Sequence, residues 1–129
     1  MMPELTVLVL AGLLQVVQMG IGAVTMTRQH GRDYNASPRD ANLPLTGLAG
    51  RADRALKNHY ESLPLFAIGV LAITLLDKGT GLSEWLAWTY LAARIFYVPA
   101  YLMGLSPWRS LIWMVGFVAT ILLLLLAFI

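Results

Sequence analysis

The chain contains no cysteine, which excludes disulfides, thiolate metal sites and a protein thiol nucleophile. Histidine is nearly as scarce. His30 and His59 are the only two, and their separation in sequence does not suggest a metal site. Charge is the third shortage. Only 12% of the residues are charged, against roughly a quarter in a soluble domain. The formal net charge of +2 comes without any Lys/Arg-rich tract, so no nucleic-acid partner is expected. No basic residue precedes Arg28, which leaves the first apolar stretch without the positive n-region of a signal peptide.

What replaces charge is apolar surface: 58% of the residues are hydrophobic and the mean hydropathy is +0.69. So little polar surface predicts that the solvent is lipid. A helix needs about 20 mainly apolar residues to cross the hydrocarbon core, and four stretches qualify, at about 5–27, 52–76, 83–103 and 108–129. The connections Asp77-Lys78-Gly79-Thr80-Gly81 and Gly104-Leu105-Ser106-Pro107 are short turns. Residues 28–51 read instead as a long irregular polar segment. Short connections make successive helices antiparallel neighbours. The predicted fold is therefore all-α, an integral membrane four-helix up-down bundle forming one transmembrane domain over 1–129.

Orientation follows from the basic residues. Arg28, Arg32, Arg39 and Arg51, with Arg54 and Arg109 at the adjoining helix ends, share one side, and Lys78 stands alone on the other. This predicts both termini on the non-cytoplasmic side.

The informative residues are those that lipid burial should have removed. Arg51, Arg54, Asn58 and Glu61 have helical offsets that place them within about an 80° arc. Tyr90, Arg94, Tyr97 and Tyr101 form a second stripe. Arg109 and Ser110 open the fourth span and Arg28 closes the first, all at the same end. Placing an Arg or Asp at a helix centre costs roughly 2.5–3.5 kcal/mol on insertion scales. One reading is an Arg94–Glu61 pair that joins two helices. The other is an anion site, because the arginines converging at this depth exceed the one nearby carboxylate by four charges. Arginine's planar fork suits carboxylates, and Glu61 could receive an ammonium group. A ligand with two carboxylates and an amine, such as glutathione, satisfies both signs.

The remaining polar and aromatic positions carry plainer expectations. Tyr90 reads as an interfacial aromatic, and Trp85, Trp88 and Trp108 as boundary anchors. Gln15 and Gln18 read as hydrogen-bonding between helices. His59 and Lys57 lie off the main stripe and read as interfacial. Pro64 and Pro99 are tolerated in membrane helices.

The run Arg51-Ala-Asp-Arg54-Ala-Leu-Lys-Asn58-His-Tyr-Glu61-Ser-Leu-Pro64-Leu-Phe66 resembles the second-helix signature of the MAPEG family, the membrane-associated proteins in eicosanoid and glutathione metabolism. Ala93-Arg94-Ile-Phe-Tyr97-Val-Pro-Ala-Tyr101-Leu-Met-Gly104 resembles its third helix, and Pro107-Trp-Arg109-Ser110 the start of its fourth. The resemblance implies a homotrimer with glutathione bound between subunits near the cytoplasmic face. It implies that Arg54, Asn58, Glu61, Arg94, Tyr97 and Tyr101 hold the tripeptide, that Arg51 supports the site, and that Arg28 reaches in from a neighbour. Arg109 is the candidate for stabilising the thiolate, with Ser110 a second donor. Tyr97 stands where prostaglandin-forming members carry His. Ser62 stands where leukotriene-forming members carry Tyr, and the turn before Arg109 is one residue shorter than in the former. These departures argue against either eicosanoid reaction and toward the bacterial members, hence an inner bacterial membrane. The implied activity is transfer of glutathione to lipophilic electrophiles, or reduction of lipid hydroperoxides. The alternative is a non-catalytic lipid-binding or partner-binding member.

Overall fold

The computed structural model describes residues 2–129. Among these the regular structure is entirely helical: α1 Pro3–His30, α2 Arg32–Ala36, α3 Gly47–Leu75, α4 Gly81–Leu102 and α5 Trp108–Leu126. Two helices, α1 and α5, are long and apolar enough to cross a membrane, their most apolar 18-residue stretches having mean hydropathies of 2.1 and 2.2. Helix α3 carries Arg51, Asp53, Arg54, Lys57, Asn58 and Glu61 in its first half, which lowers its average.

Local sequence explains most of the boundaries. Pro3 starts α1, where a missing N–H costs nothing, and Glu4 complements the positive end of the helix dipole. Arg28 and His30 occupy its last turn, and Gly31 ends it at φ 91°. Helix α4 opens on a capping box in which the Thr80 side chain accepts from Ser83 N–H and Ser83 Oγ accepts from Thr80 N–H. Pro64 and Pro99 lie inside α3 and α4 without ending them.

The polar segment expected over 28–51 is shorter and more ordered than the sequence suggests. Helix α1 continues to His30, α2 is a separate short helix, and α3 begins at Gly47. Tertiary hydrogen bonds impose this order. Asn35 Nδ2 donates to Thr27 Oγ1 at 2.9 Å, folding α2 back on α1. Gln29 and Thr46 exchange two bonds, and the Tyr34 hydroxyl accepts from Leu43 N–H. Gly50 lets this segment cross the start of α3, since a Cβ there would lie 2.8 Å from the Leu45 carbonyl oxygen.

The hydrogen bonds also fix which ends meet. Ser83 Oγ donates to Glu4 Oε1 at 2.6 Å and Lys78 Nζ donates to the Ala127 carbonyl at 2.8 Å. These bonds gather the starts of α1 and α4 with the ends of α3 and α5. At the opposite end Arg51 Nε donates to the Leu102 carbonyl at 2.8 Å, joining the start of α3 to the end of α4.

The core contains Val7, Ala11, Phe66, Val70, Ile73, Leu86, Tyr90 and Leu123. Tyr90 is not interfacial. It is buried, stacked on Phe66 with ring centroids 3.9 Å apart, and its hydroxyl lies 2.9 Å from Ser62 Oγ. One hydrogen bond for the hydroxyl makes this burial tolerable. The outward faces are apolar, with Val9, Leu13, Val16, Ile68, Phe96, Val115 and Leu125 all exposed. Trp85, Trp88 and Trp108 are exposed too, as boundary anchors would be. Lipid removes most of the hydrophobic drive for helix association, so close packing through small residues takes its place. Gly116 is such a point: a Cβ there would meet the Ala93 Cβ at 3.3 Å.

Candidate functional site

The site lies where the first half of α3 faces the second half of α4 and the start of α5. Helical periodicity puts Arg54, Asn58 and Glu61 on one face of α3, and they line one cleft of about 230 Å³ together with Lys57, Tyr97, Tyr101 and Arg109. Arg51, a turn below, supports this wall through its bond to Leu102.

Two tyrosine rings organise the guanidinium groups. Tyr97 and Tyr101 meet edge to face, 5.6 Å apart. Arg94 lies 4.4 Å from the Tyr97 centroid, while Arg109 lies 4.8 Å and Arg54 5.9 Å from the Tyr101 centroid. Arg54 Nε also donates to the Tyr101 hydroxyl at 3.2 Å. Ring faces attract cations without neutralising them, so the positive charge stays available.

The expected alternative of an Arg94–Glu61 pair is not realised. Arg94 Nη1 donates to Asn58 Oδ1 at 2.8 Å, and the one ion pair among the described residues is Lys57–Asp53 at 2.8 Å. Arg94 is only 2% exposed, yet its Nε and Nη2 have no partner, and neither has the buried Tyr97 hydroxyl. Buried donors left open are expensive. A guanidinium held this way keeps two donors open to a further acceptor.

A second cavity of about 200 Å³ adjoins the cleft, with Asn58, Glu61 and Tyr97 lining both. Its other walls are mainly apolar, with Leu65, Ile112, Trp113, Gly116 and Phe117 beside Ser62, Tyr90 and Arg94. Trp113 and Phe117 stack at 4.7 Å to form one side.

Two candidate residues are not brought to this place by the fold of the chain. Arg28 lines a different cleft with Thr25, Gln29 and Thr46. Ser110 is exposed on α5 and lines neither cavity, because one helical step turns it about 100° from Arg109. Lys57 is exposed, as an interfacial residue would be, and also lines the polar cleft; two other expectations need correcting. His59 is fully buried against α1, with Nε2 at 3.1 Å from the Ala11 carbonyl, rather than interfacial. Gln18 is buried but has no hydrogen-bond partner among the described residues, so the expected interhelical bond is not formed there. Trp113, Gly116 and Phe117 stand four, seven and eight residues after Arg109. That helical spacing was a legible signal for them.

The model of the MAPEG family matches residues 5–129. The chain belongs to the MAPEG family. No curated protein and no solved structure matches it. MAPEG membership makes it a membrane protein with a role of the glutathione and eicosanoid type, and the apolar α1 and α5 agree with that setting.

Proposed function

We propose that this MAPEG protein is a membrane-bound glutathione-dependent transferase or peroxidase acting on lipophilic electrophiles or lipid hydroperoxides. The observation that carries the reading is Arg94, a buried guanidinium with two open nitrogens beside an open Tyr97 hydroxyl. The residues fit glutathione in number and sign. Arg54, Arg94 and Tyr101 offer donors for its carboxylates, Asn58 can both donate and accept, and Glu61 can take the ammonium. Arg51 holds the α3 wall in place through Leu102. Arg28, remote within the subunit, joins the site from a neighbour in the proposed homotrimer.

When bound, glutathione supplies the nucleophilic or reducing thiol. Arg109, which lines the polar cleft, is the residue proposed to hold its sulfur as thiolate, and Ser110, turned away from the cleft, is given no part in it. A free thiol has a pKa of about 8.5. Lowering it by about one unit, worth about 1.4 kcal/mol, raises the thiolate share at neutral pH about eightfold. The second substrate arrives from the bilayer. In this reading each subunit is a single four-helix up-down domain in a bacterial inner membrane, with both termini non-cytoplasmic. The bonds joining Glu4 to Ser83 and Lys78 to Ala127 support the antiparallel layout.

The test is thiolate absorbance in the ultraviolet as glutathione is titrated into detergent-purified protein at neutral pH. A saturable signal is expected. Its absence at millimolar glutathione would remove the enzyme reading and leave a lipid-binding or partner-binding member.

A further inference from the structure

Two buried polar side chains have no part in the site as described, Gln18 and His59. His59 leads further because one of its ring nitrogens has a fixed partner. The ring is fully buried where α3 packs on α1, with Nε2 at 3.1 Å from the Ala11 carbonyl. A carbonyl oxygen only accepts, so Nε2 carries the proton. On the neutral ring this tautomer makes Nδ1 an acceptor. Nδ1 is buried and meets no donor.

Arg94 has the opposite lack. Its Nη1 donates to Asn58 Oδ1 at 2.8 Å, while Nε and Nη2 are buried without an acceptor. Those two nitrogens carry three N–H groups between them. A carboxylate approaching side-on takes two, and one remains. His59 follows Asn58 directly in α3, so its Cα is only about 3.8 Å from that of the residue Arg94 already holds. The charge of Arg94 also reaches the His59 ring. An acceptor without a donor and a donor without an acceptor thus share one interior, where each is costly to leave alone.

We infer that His59 is a positioning residue of the polar cleft, its Nδ1 lone pair receiving the Arg94 N–H that a ligand carboxylate leaves over, while the Ala11 carbonyl holds the ring in the tautomer that can do so. Asn58 and His59 then grip the guanidinium from consecutive positions of α3. Helix α1 enters the site through the imidazole without touching the ligand. Because the acceptor is neutral, Arg94 keeps its full charge for the incoming anion. The inference rests on the proposed function only in taking glutathione as that anion.

Asparagine and glutamine each keep one half of the imidazole. In His59→Asn the amide oxygen takes the place of Nδ1, but the side chain is too short to reach Ala11. In His59→Gln the amide N–H reaches Ala11, but the acceptor lies one bond further out than Nδ1. His59→Gln is expected to keep the parent's unfolding midpoint in detergent. It should bind glutathione about tenfold more weakly, the scale of one hydrogen bond to a charged group. His59→Asn should lose about 4 °C or more of that midpoint and keep the parent's affinity. Affinity that follows stability through the two variants, is lost equally in both, or is unchanged in His59→Gln would overturn the inference.

A readout without glutathione separates this contact from the enzyme reading. Magnetic resonance of the imidazole nitrogens distinguishes a protonated nitrogen, a free lone pair and a hydrogen-bonded lone pair. The chain has two histidines, and His59 is the one whose signals vanish in His59→Gln. In the parent protein Nε2 should be protonated and Nδ1 should show a hydrogen-bonded lone pair. In Arg94→Met the Nδ1 signal should move to the position of a free lone pair. A protonated Nδ1, or an Nδ1 signal that is the same in both proteins, would refute the contact whatever glutathione does. The expected movement in a protein that binds no glutathione would uphold the contact and remove the enzyme reading alone.

Discussion

The two ends of this molecule treat their polar groups in opposite ways. At the end where the chain begins and finishes, buried polarity is paired within the fold. Glu4, only 2% exposed, accepts from Ser83 Oγ, Thr80 and Ser83 cap α4 reciprocally, and Lys78 satisfies the Ala127 carbonyl. At the other end Arg94 is as buried as Glu4 yet keeps two nitrogens open, and Arg54 and Arg109 rest on a tyrosine ring with no carboxylate partner. The first arrangement closes a structure. The second leaves a vacancy in the hydrogen-bond account that a ligand of opposite charge can fill, at some cost in stability to the protein alone.

If that contrast is real, substitutions at the two ends should separate function from stability. The largest effect is expected for Arg109→Ala, which removes the donor proposed for the developing thiolate. Activity should fall about 100-fold or more, the scale for losing one charge-stabilising group, with glutathione affinity retained. Full activity in this variant would withdraw the role from Arg109. Next comes Arg54→Ala. Losing one charge-assisted hydrogen bond costs about 1.5–3 kcal/mol, so calorimetry should show glutathione binding weakened by at least about tenfold. The salt dependence should flatten, because one exposed charge is gone.

Smaller effects belong to the paired end and to the core. Ser83→Ala removes the partner of a buried carboxylate and half of a capping box, and should cost about 1–3 kcal/mol in thermal or chemical unfolding. Glutathione binding should be unaffected; a change in binding would mean the two ends are coupled. The least effect is expected for Ser62→Ala, which leaves the Tyr90 hydroxyl without its bond. It should lower stability by about 0.5–1.5 kcal/mol, read from the midpoint of unfolding in detergent.

Periodicity made much of this arrangement legible. Arg54, Asn58 and Glu61 share a face because their spacing is helical, and the same holds for Arg94, Tyr97 and Tyr101, so both polar faces follow from residue order. What residue order does not encode is the partner of each face. His59 looks like an interface residue until α1 packs over it and the Ala11 carbonyl meets its ring. Tyr90 belongs to the same stripe as Arg94 but turns into the core, where Phe66 and Ser62 receive it. Helix α2 was missed because five residues have no usable periodicity. Its place is set by Asn35 reaching back to Thr27. The inner cavity is only half-legible: Trp113 and Phe117 share the helical face of Arg109, but in a span of apolar neighbours residue type does not separate a cavity wall from a lipid-facing surface.

The most direct test of the contrast is the thermal stability of Arg94→Met with and without glutathione. Methionine keeps the apolar stem and removes a buried charge that has no counter-ion. The protein without ligand should therefore be more stable by about 1 kcal/mol or more, while the stabilisation that glutathione gives the parent protein should disappear. A variant that is less stable on its own and is still stabilised by glutathione to the same degree would show that Arg94 is part of the framework. The open donors at that end would then not be a ligand site.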